Sequence, residues 1–449
     1  MNKKKILGII TAALIAVFGT TSAFAASNPP SKPDEGTSTE ASDKPGSHGD
    51  GQGKPDGHPG GASSVNTGSG AYNLSDNEEI YGGTYTSVNE DESAILADNV
   101  TATLNAVNVE KSGDSSNTES SSFYGLNSGV LAINKAKFTI NGGIINAAGK
   151  GANGVFAYNG AQIDISNTMV NADSPGAGGI EVAGGGIMNA TNLVVKSTGK
   201  AAIRSDRGGG TLNVNGGTYT STGSDGAPAI YSTAAITVKN AALIAEKSRG
   251  IIIEGKNSVD LENCSLSGNF STEEQNASVP GNILIFQSMS GDAEVGTSVL
   301  NVKNSSLKAG HSAMFGISNT NSVINLEAVN LEYSDDNNNI LSAAAGRWGK
   351  EGSNGGHCTF NATNQALKGN FTCDEISSVD INLKSGCSYI GAIDTENTGN
   401  CTLTLSSNAH WTLTGNCYLD SFTDENESYN NVDFNGYSIY LTDGTVISK

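Results

Sequence analysis

The sequence predicts an all-β fold, a parallel β-helix in which about 24 residues form each coil and roughly 14 coils stack into a solenoid. Three observations support this prediction. Glycine accounts for 57 of the 449 residues and charged residues for only 16%, which is more typical of repetitive β-structure than of helices. Short alternating apolar segments recur with a sustained period. An Asn or a Gly follows most of these segments, where a bend needs a residue that tolerates left-handed backbone conformations.

Residues 1–25 are predicted to be a secretory signal peptide of the bacterial type. Three lysines precede an apolar run over residues 6–18, and a small-x-small site, Ala-Phe-Ala, ends at residue 25. The apolar run is too short to span a bilayer. The mature protein is therefore expected to be secreted and extracellular, without membrane insertion, and association with the cell surface is left open.

Residues 26–73 are predicted to form a disordered linker. They are rich in Pro, Gly, Ser, Asp and Lys, and such a segment buries too little apolar surface to offset its ordering entropy. The solenoid is expected to follow, with its main part over residues 74–357. Cys-containing coils and a cap are expected over residues 358–449.

The segment TLNVNGGTYTSTG at residues 211–223 shows the pattern of one coil. Leu212 and Val214 alternate with polar residues, and a predicted bend lies two residues after the second of them. The bend positions found in this way are Gly82, Ala106, Gly142, Asn167, Asn192, Gly216, Asn240, Asn263, Asn304 and Ala328. The series continues less regularly at Ala362, Ser385, Ser407 and Gly436. Polar insertions lengthen two of the coils, near residues 111–122 and 268–280.

Three of these coils, VDLENCSLSG, LNVKNSSLKAG and ITVKNAALIAEK, resemble the right-handed parallel β-helix proteins of the pectate-lyase-like superfamily. The resemblance covers roughly residues 74 to 440. This group includes polysaccharide lyases, glycoside hydrolases and many non-catalytic, adhesin-like surface proteins. The resemblance therefore implies a right-handed parallel β-helix and leaves the function open.

Five of the six cysteines lie in the last quarter of the chain, at spacings of 14 to 16 residues. Each shares the parity of its apolar neighbours in a predicted strand, so alternation points every one of them toward the core. The five are Cys358, Cys373, Cys387, Cys401 and Cys417. They form either an inner ladder of small apolar residues or one or two disulfides, and both alternatives stay open. The spacings do not match a zinc site.

A second strand in each coil precedes the bend strand, and alternation divides its residues between the core and the outside. One predicted outward column reads Leu96, Leu131, Phe156, Glu181, Arg204, Tyr231, Ile252, Leu284, Phe315 and Leu341. The other reads Asp98, Ile133, Tyr158, Ala183, Asp206, Thr233, Glu254, Phe286, Ile317 and Ala343. Because coils stack about 4.8 Å apart, Arg204 is expected one coil from Glu181 and one from Tyr231. Asp206 and Glu254 are expected two coils apart, roughly 10 Å.

These columns predict a ligand-binding surface, because flat aromatic rings suit the apolar faces of sugars and Arg binds carboxylates in a planar, bidentate way. The chain has only four arginines, and three of them lie in or near this part of the sequence. The candidate ligand-binding residues are Phe156, Tyr158, Glu181, Arg204, Asp206, Arg207, Tyr231, Arg249, Glu254, Phe286 and Phe315. Two alternatives remain. Segments 111–127, 268–282 and 344–357 fold over the sheet and cover it, or the face mediates self-association.

The net charge of −20 argues against nucleic acid and anionic lipid as partners, because phosphate contacts need cations. The predicted function is that of a non-catalytic, adhesin-like protein that binds a glycan or a host-surface ligand. One alternative is a carbohydrate-active enzyme with Arg204, Asp206 and Glu254 as catalytic residues, the last two as an inverting carboxylate pair. Another is a purely structural surface fibre. The sequence contains no Gly-His-Gly or Arg-Ile-Lys motif. No cofactor or metal is predicted, although calcium held by turn aspartates stays open, and so does the oligomeric state.

Overall fold

The computed structural model describes residues 65–224, 226–271, 279–333 and 339–449. These residues form an all-β parallel solenoid of the right-handed type, with about 24 residues per turn and about 15 turns. The predicted fold class is thus confirmed, with about one turn more than expected. The predicted signal peptide and residues 26–64 of the predicted linker lie outside the described residues.

The first sheet contains 12 parallel strands, one from each successive coil. Its strands are Ser69–Asn73, Glu92–Asp98, Val130–Ile133, Val155–Tyr158, Ile180–Ala183, Ile203–Ser205, Ile230–Ser232, Ile251–Glu254, Ile283–Phe286, Phe315–Ser318, Asn339–Ala343 and Asn370–Cys373. The first of these strands lies inside the segment predicted to be a linker. It pairs with Glu92–Asp98, and Tyr72 packs against the core.

A second hydrogen-bonded sheet has 20 strands and is folded along the line of bends. Its strands are Glu78–Tyr81, Thr84–Ser87, Thr101–Lys111, Lys137–Ala147, Gln162–Ser166, Met169–Ala172, Gly186–Ser197, Gly210–Ser221, Ala235–Lys239, Ala242–Ala245, Ser258–Glu262, Ser265–Ser271, Thr297–Lys303, Ser306–His311, Thr320–Glu327, Asn330–Tyr333, Gly356–Thr363, Ser378–Leu383, Asn400–Leu405 and Ser421–Asp424. We call the part before the bend in each coil the second face, and the part after it the third face.

The bends lie where the repeat predicts them through the first ten coils. All ten positions from Gly82 to Ala328 have a positive φ, between 48° and 75°. The predicted position Ala362 is wrong, because this residue is a fully buried core residue and the bend falls at Asn364, with φ of 48°. Phe360 and Ala362 are themselves the inward pair of that coil, so the bend comes two residues later.

Two small sheets complete the C-terminal part, and one short helix lies in the first insertion. The four-stranded sheet contains Ala366–Lys368, Ser388–Gly391, His410–Leu413 and Val432–Asp433, and the three-stranded sheet contains Cys417–Leu419, Ile439–Leu441 and Val446–Ile447. The helix is Thr118–Tyr124. The Asn117 side chain accepts a hydrogen bond from the Ser120 amide at its start, and Gly125 ends it with a φ of 76°.

The inward side chains of all faces form one continuous apolar core. At its C-terminal end an aromatic series continues from coil to coil through Phe360, Phe371, Tyr389 and Trp411, with ring centroids 5.0–5.8 Å apart. The cysteines are buried, as predicted, and all six are free thiols. Among the described residues, no helix has the length and apolar character needed to cross a membrane.

Candidate functional site

The predicted aromatic surface of the first sheet is covered at its N-terminal end by the helix Thr118–Tyr124. Phe156 is fully buried, and Tyr158 packs edge-on against Tyr124 with ring centroids 5.5 Å apart. A Cβ atom placed on Gly125 would lie 2.8 Å from the Phe156 ring, which shows how closely the chain crosses this ring. The first insertion therefore takes the space in which a ligand was predicted to bind.

The same face is covered further along by the third insertion and by residue 279. Phe286 packs against Trp348 with ring centroids 4.3 Å apart, and both join Ile252 and Leu284 in a separate apolar cluster with Val279. Of the alternatives left open by the sequence, the structure shows cover from within the chain. The aromatic residues of this face are packing residues.

The outward register predicted for the coil around residue 315 is wrong by one residue. Phe315 pairs with Ile283 and Leu341 in the inward column, and its side chain is fully buried in the core. Gly316 takes the outward position, where a Cβ atom would lie 2.0 Å from the Pro280 carbonyl oxygen. Because only a residue without a side chain fits there, the phenylalanine is turned inward. The same shift of register places three further residues of the predicted outward columns in the core: Ile317, Leu341 and Ala343.

Arg204 is the centre of a charged cluster between the two covered regions. The strand register places it beside Glu181 on one coil and Tyr231 on the next, in agreement with the predicted column. Its Nε and Nη2 donate to Asp206 Oδ2 at 3.0 and 2.7 Å. The guanidinium lies over the Tyr231 ring, 4.4 Å from its centroid. The Tyr231 hydroxyl in turn donates to Glu254 Oε2 at 2.6 Å.

Glu181 is the one member of this cluster whose carboxylate is poorly satisfied. Arg204 Nε lies 3.3 Å from its Oε1, but the N–H is directed to Asp206, and neither oxygen accepts a hydrogen bond from a described residue. Burial raises the pKa of Glu181 to about 7, against the opposing charges of Lys200 and Arg204. Desolvation of the carboxylate is the physical cause of this shift, and the ion pair with Arg204 only partly offsets it.

The other two arginines of the candidate set, Arg207 and Arg249, also bind groups of their own chain. Arg207 donates to Asp292 Oδ1 from Nη2 at 2.7 Å and lies over the Phe123 ring, 3.9 Å from its centroid. Arg249 is buried, donates to the carbonyl oxygens of Gly281 and Val279, and lies over the ring of Phe270. Arginine is concentrated here because these bonds fix the covering segments to the sheet.

The alternative catalytic pair, Asp206 and Glu254, is buried and fully engaged. Arg204 and the Arg207 amide bond the two oxygens of Asp206. The Tyr231 and Ser288 hydroxyls donate to the two oxygens of Glu254. In this arrangement their oxygens serve as acceptors for the protein itself.

A polar groove on the second face was not predicted as a site. In each coil one outward residue lies between the two inward core residues of the strand. In successive coils these outward residues are asparagines whose side-chain amides stack, and the first residue of the stack is an aspartate. Asn301 donates to Asp260 Oδ1 at 2.5 Å, Asn325 to Asn301 at 2.7 Å, Asn361 to Asn325 at 2.9 Å and Asn382 to Asn361 at 3.1 Å. We call this series the amide ladder.

Similar ladders recur elsewhere on the solenoid and share one direction. Asn189 donates to Asp164 and Asn213 donates to Asn189. On other columns Asn134 and Asn159 start from Asp98, and Asn146 and Asn171 start from Glu110. In each case the donor belongs to the later coil and the first acceptor is a carboxylate. A carboxylate only accepts, so it ends such a column without an unused donor.

A row of alternating charge lies beside the amide ladder. Lys239 pairs with Glu262 at 2.8 Å and Lys303 with Glu327 at 2.9 Å. The row and the ladder together line a groove of about 490 Å³. Its lining includes Thr237, Lys239, Asp260, Glu262, Asn301, Lys303, Asn325, Glu327, Asn361, Thr363 and Lys384. The charges are balanced, so the groove is polar without strong charge of either sign.

The sequence contained a signal for this groove. The segments ITVKN, VDLEN and LNVKN each place a Thr, Asp or Asn between two core residues and a charged residue before the bend. The inward residues of these segments predict the coil, and their outward residues form the groove. Among the described residues, no group of three or more His, Cys, Asp and Glu side chains is arranged to hold a metal ion.

Comparison with protein-family models, curated proteins and solved structures finds no match for this chain, so a function has to be inferred from the geometry described above.

Proposed function

We propose that this protein is an exported, non-catalytic, adhesin-like β-helix protein, similar in kind to those of the pectate-lyase-like superfamily, that binds a glycan along the groove of the second face. The observation that supports the proposal is the amide ladder and the charged row that line this groove. The glycan was expected on the first sheet, where the structure buries the aromatic rings.

The chemistry of the ladder supports a polyhydroxylated ligand. An Asn side chain has two N–H donors and a carbonyl oxygen with two lone pairs. Each internal ladder residue uses one donor and one lone pair within the ladder. The remaining donor and lone pair are available to the hydroxyl groups of a sugar. The coils repeat these groups about every 4.8 Å, so a polymer with regularly spaced hydroxyls meets the same partners several times.

The balance of charge supports a neutral glycan. In the groove Lys239 and Lys303 are paired with neighbouring glutamates, and the charge of Lys384 is matched in number by Asp260, so neither sign is left in excess. An acidic polysaccharide would meet both the Glu side chains of the groove and a chain whose net charge is −20. A neutral polymer avoids this repulsion and still gains from the amides. We therefore expect binding that depends little on salt.

A binding assay with groove variants tests the proposal. The mature protein is mixed with fluorescently labelled neutral and acidic polysaccharides, and complexes are separated by size-exclusion chromatography. The double variant Asn325→Ala and Asn361→Ala removes two amides from the groove. It is expected to weaken binding of the neutral polymer about 10- to 30-fold, because each lost hydrogen bond contributes about 1 kcal/mol.

The matched control is the double variant Asn146→Ala and Asn171→Ala, which removes two amides from a similar ladder on the third face. It should bind as the wild type does. Equal weakening in both variants, or no complex with any glycan, would contradict the proposal. A shift of the labelled polymer to smaller size would show cleavage and would favour the enzyme alternative.

A further inference from the structure

Two of the buried cysteines lie with their sulfur atoms in contact. Cys373 ends the last strand of the first sheet, and Cys401 lies in the strand Asn400–Leu405 of the next coil. Their Sγ atoms are 3.2 Å apart. A disulfide places the two sulfurs about 2.05 Å apart, so a movement of about 1 Å joins them.

The other cysteines have different neighbours. Cys264 Sγ donates to the carbonyl oxygens of Val238 and Glu262, each at 3.3 Å. Cys417 Sγ lies 3.3 Å from the Ile393 amide nitrogen, from which it accepts. The contact between the sulfur atoms of Cys373 and Cys401 is therefore not shared by these other buried cysteines.

Cys373 is closely packed on one side and lies beside a cleft on the other. Gly399 lies against its sulfur, and a Cβ atom at this glycine would be 2.1 Å from Sγ. Cys373 also lines a cleft of about 940 Å³, together with Arg347, Asp374 and Thr398. Both cysteines are buried, with relative exposures of 5% for Cys373 and 1% for Cys401, and Cys373 is the one of the two that lines the cleft.

We propose that Cys373 and Cys401 form a disulfide in the folded protein by exchange with a small-molecule disulfide that enters through this cleft. The Cys373 thiolate attacks one sulfur of the reagent, which gives a mixed disulfide and releases one thiol. The Cys401 thiolate then attacks Cys373 Sγ and expels the second thiol. The two protons leave with the two released thiols, the protein loses two electrons and two protons, and the reagent gains both.

The bond closes the loop formed by residues 374–400, which is about one coil. Cross-linking a loop of this size removes freedom from the unfolded chain and is expected to raise the melting midpoint by several degrees. It also joins the last strand of the first sheet to the following coil across the core.

Thiol mapping of the folded protein tests this inference. The protein is incubated with oxidised glutathione or with dithiothreitol, then quenched with acid, unfolded and alkylated. Digestion with trypsin and a glutamate-specific protease places Cys373 and Cys401 in separate peptides. We expect one cross-link between these two peptides and four alkylated thiols after oxidation, and six alkylated thiols after reduction.

Two variants make the outcome specific. Cys417→Ser removes the second cysteine from the Cys401 peptide and should keep the cross-link. Cys401→Ser should stop at the mixed disulfide on Cys373, seen as a glutathione adduct, and should lose the difference in melting midpoint between oxidised and reduced protein. Six alkylated thiols after oxidation, or a cross-link between another pair, would overturn the proposal.

Discussion

At the scale of single residues, Arg204 decides how the first sheet tolerates buried charge. Its guanidinium donates two hydrogen bonds to one oxygen of Asp206, lies beside Glu181 and covers the ring of Tyr231. Two carboxylates in this position would repel each other without a cation between them. The residue is therefore part of the packing of the first sheet, and its role is to neutralise its neighbours.

Arg204→Ala is expected to lower the free energy of unfolding by about 3 kcal/mol or more, because it leaves two buried carboxylates without their partner. Urea unfolding followed by circular dichroism measures this loss. Arg347→Ala is the control, because Arg347 lies over the ring of its sequence neighbour Trp348 and forms no ion pair with a carboxylate among the described residues. An active enzyme whose Arg204 variant lost turnover and kept its stability would contradict this role.

Glu181 gives a pH dependence with a definite sign. Burial raises its pKa from the ordinary 4.5 to about 7. Between these values the folded protein holds a proton that the unfolded chain has released, so this group makes the protein less stable as pH rises from about 4.5 to about 7. Glu181→Gln removes the titration. The stability of the wild type relative to this variant should therefore fall across that interval and stay constant above it.

Urea unfolding of both proteins at several pH values between 5 and 8 checks the sign. Glu262→Gln is the control, because the hydrogen bond from Lys239 lowers the pKa of Glu262, so its titration lies below this interval. A wild type that gains relative stability as pH rises would show that the attraction of Lys200 and Arg204 outweighs burial.

At the scale of one coil, the bend is the element that sets the period. Most bends use Asn or Gly, but Ala106 and Ala328 each have a φ of 53°. This conformation costs a residue with a Cβ atom about 1–2 kcal/mol, and the cost is lower for Asn because its side chain forms local hydrogen bonds. In two neighbouring coils the bend Asn also donates a hydrogen bond to the preceding coil, Asn240 to Asn215 and Asn263 to Asn240.

Ala328→Asn is therefore expected to raise the free energy of unfolding by about 0.5–1 kcal/mol. The matched control is Ala362→Asn. Ala362 follows the same sequence pattern but is fully buried in the core, and an amide placed there is expected to cost about 2 kcal/mol or more. Melting of the two variants beside the wild type measures both effects. If Ala328→Asn lowered the free energy of unfolding as Ala362→Asn does, Ala328 would not be strained.

At the scale of the whole molecule, the coil was predictable from sequence and the cover over the first sheet was not. The period, the bends through Ala328 and the column from Glu181 to Tyr231 follow from local alternation and from the backbone needs of Asn and Gly. The cover depends on contacts between residues far apart in sequence, such as Phe286 with Trp348. Alternation within a strand contains no information about such contacts.

The errors of register have a local cause. The segment SAMFGIS has apolar residues at adjacent positions, so alternation alone does not decide whether Met314 or Phe315 begins the inward pair. Packing decides it, because the Pro280 carbonyl leaves no space for a side chain at residue 316. The amide ladder was not predicted for a different reason. Its residues recur with the repeat, so the pattern indicates the coil and not a surface.

The amide ladders have a consequence for orientation. In the columns that begin at Asp164, Asp260, Asp98 and Glu110, every hydrogen bond of the ladder runs from a later coil to an earlier one, and the first acceptor is an acidic side chain. The two directions along the solenoid axis are thus chemically distinct on its outer surface. A polysaccharide also has two different ends. We therefore expect a bound chain to lie with its reducing end toward one particular terminus of the protein, so that an array of such solenoids would align the polymers that it holds.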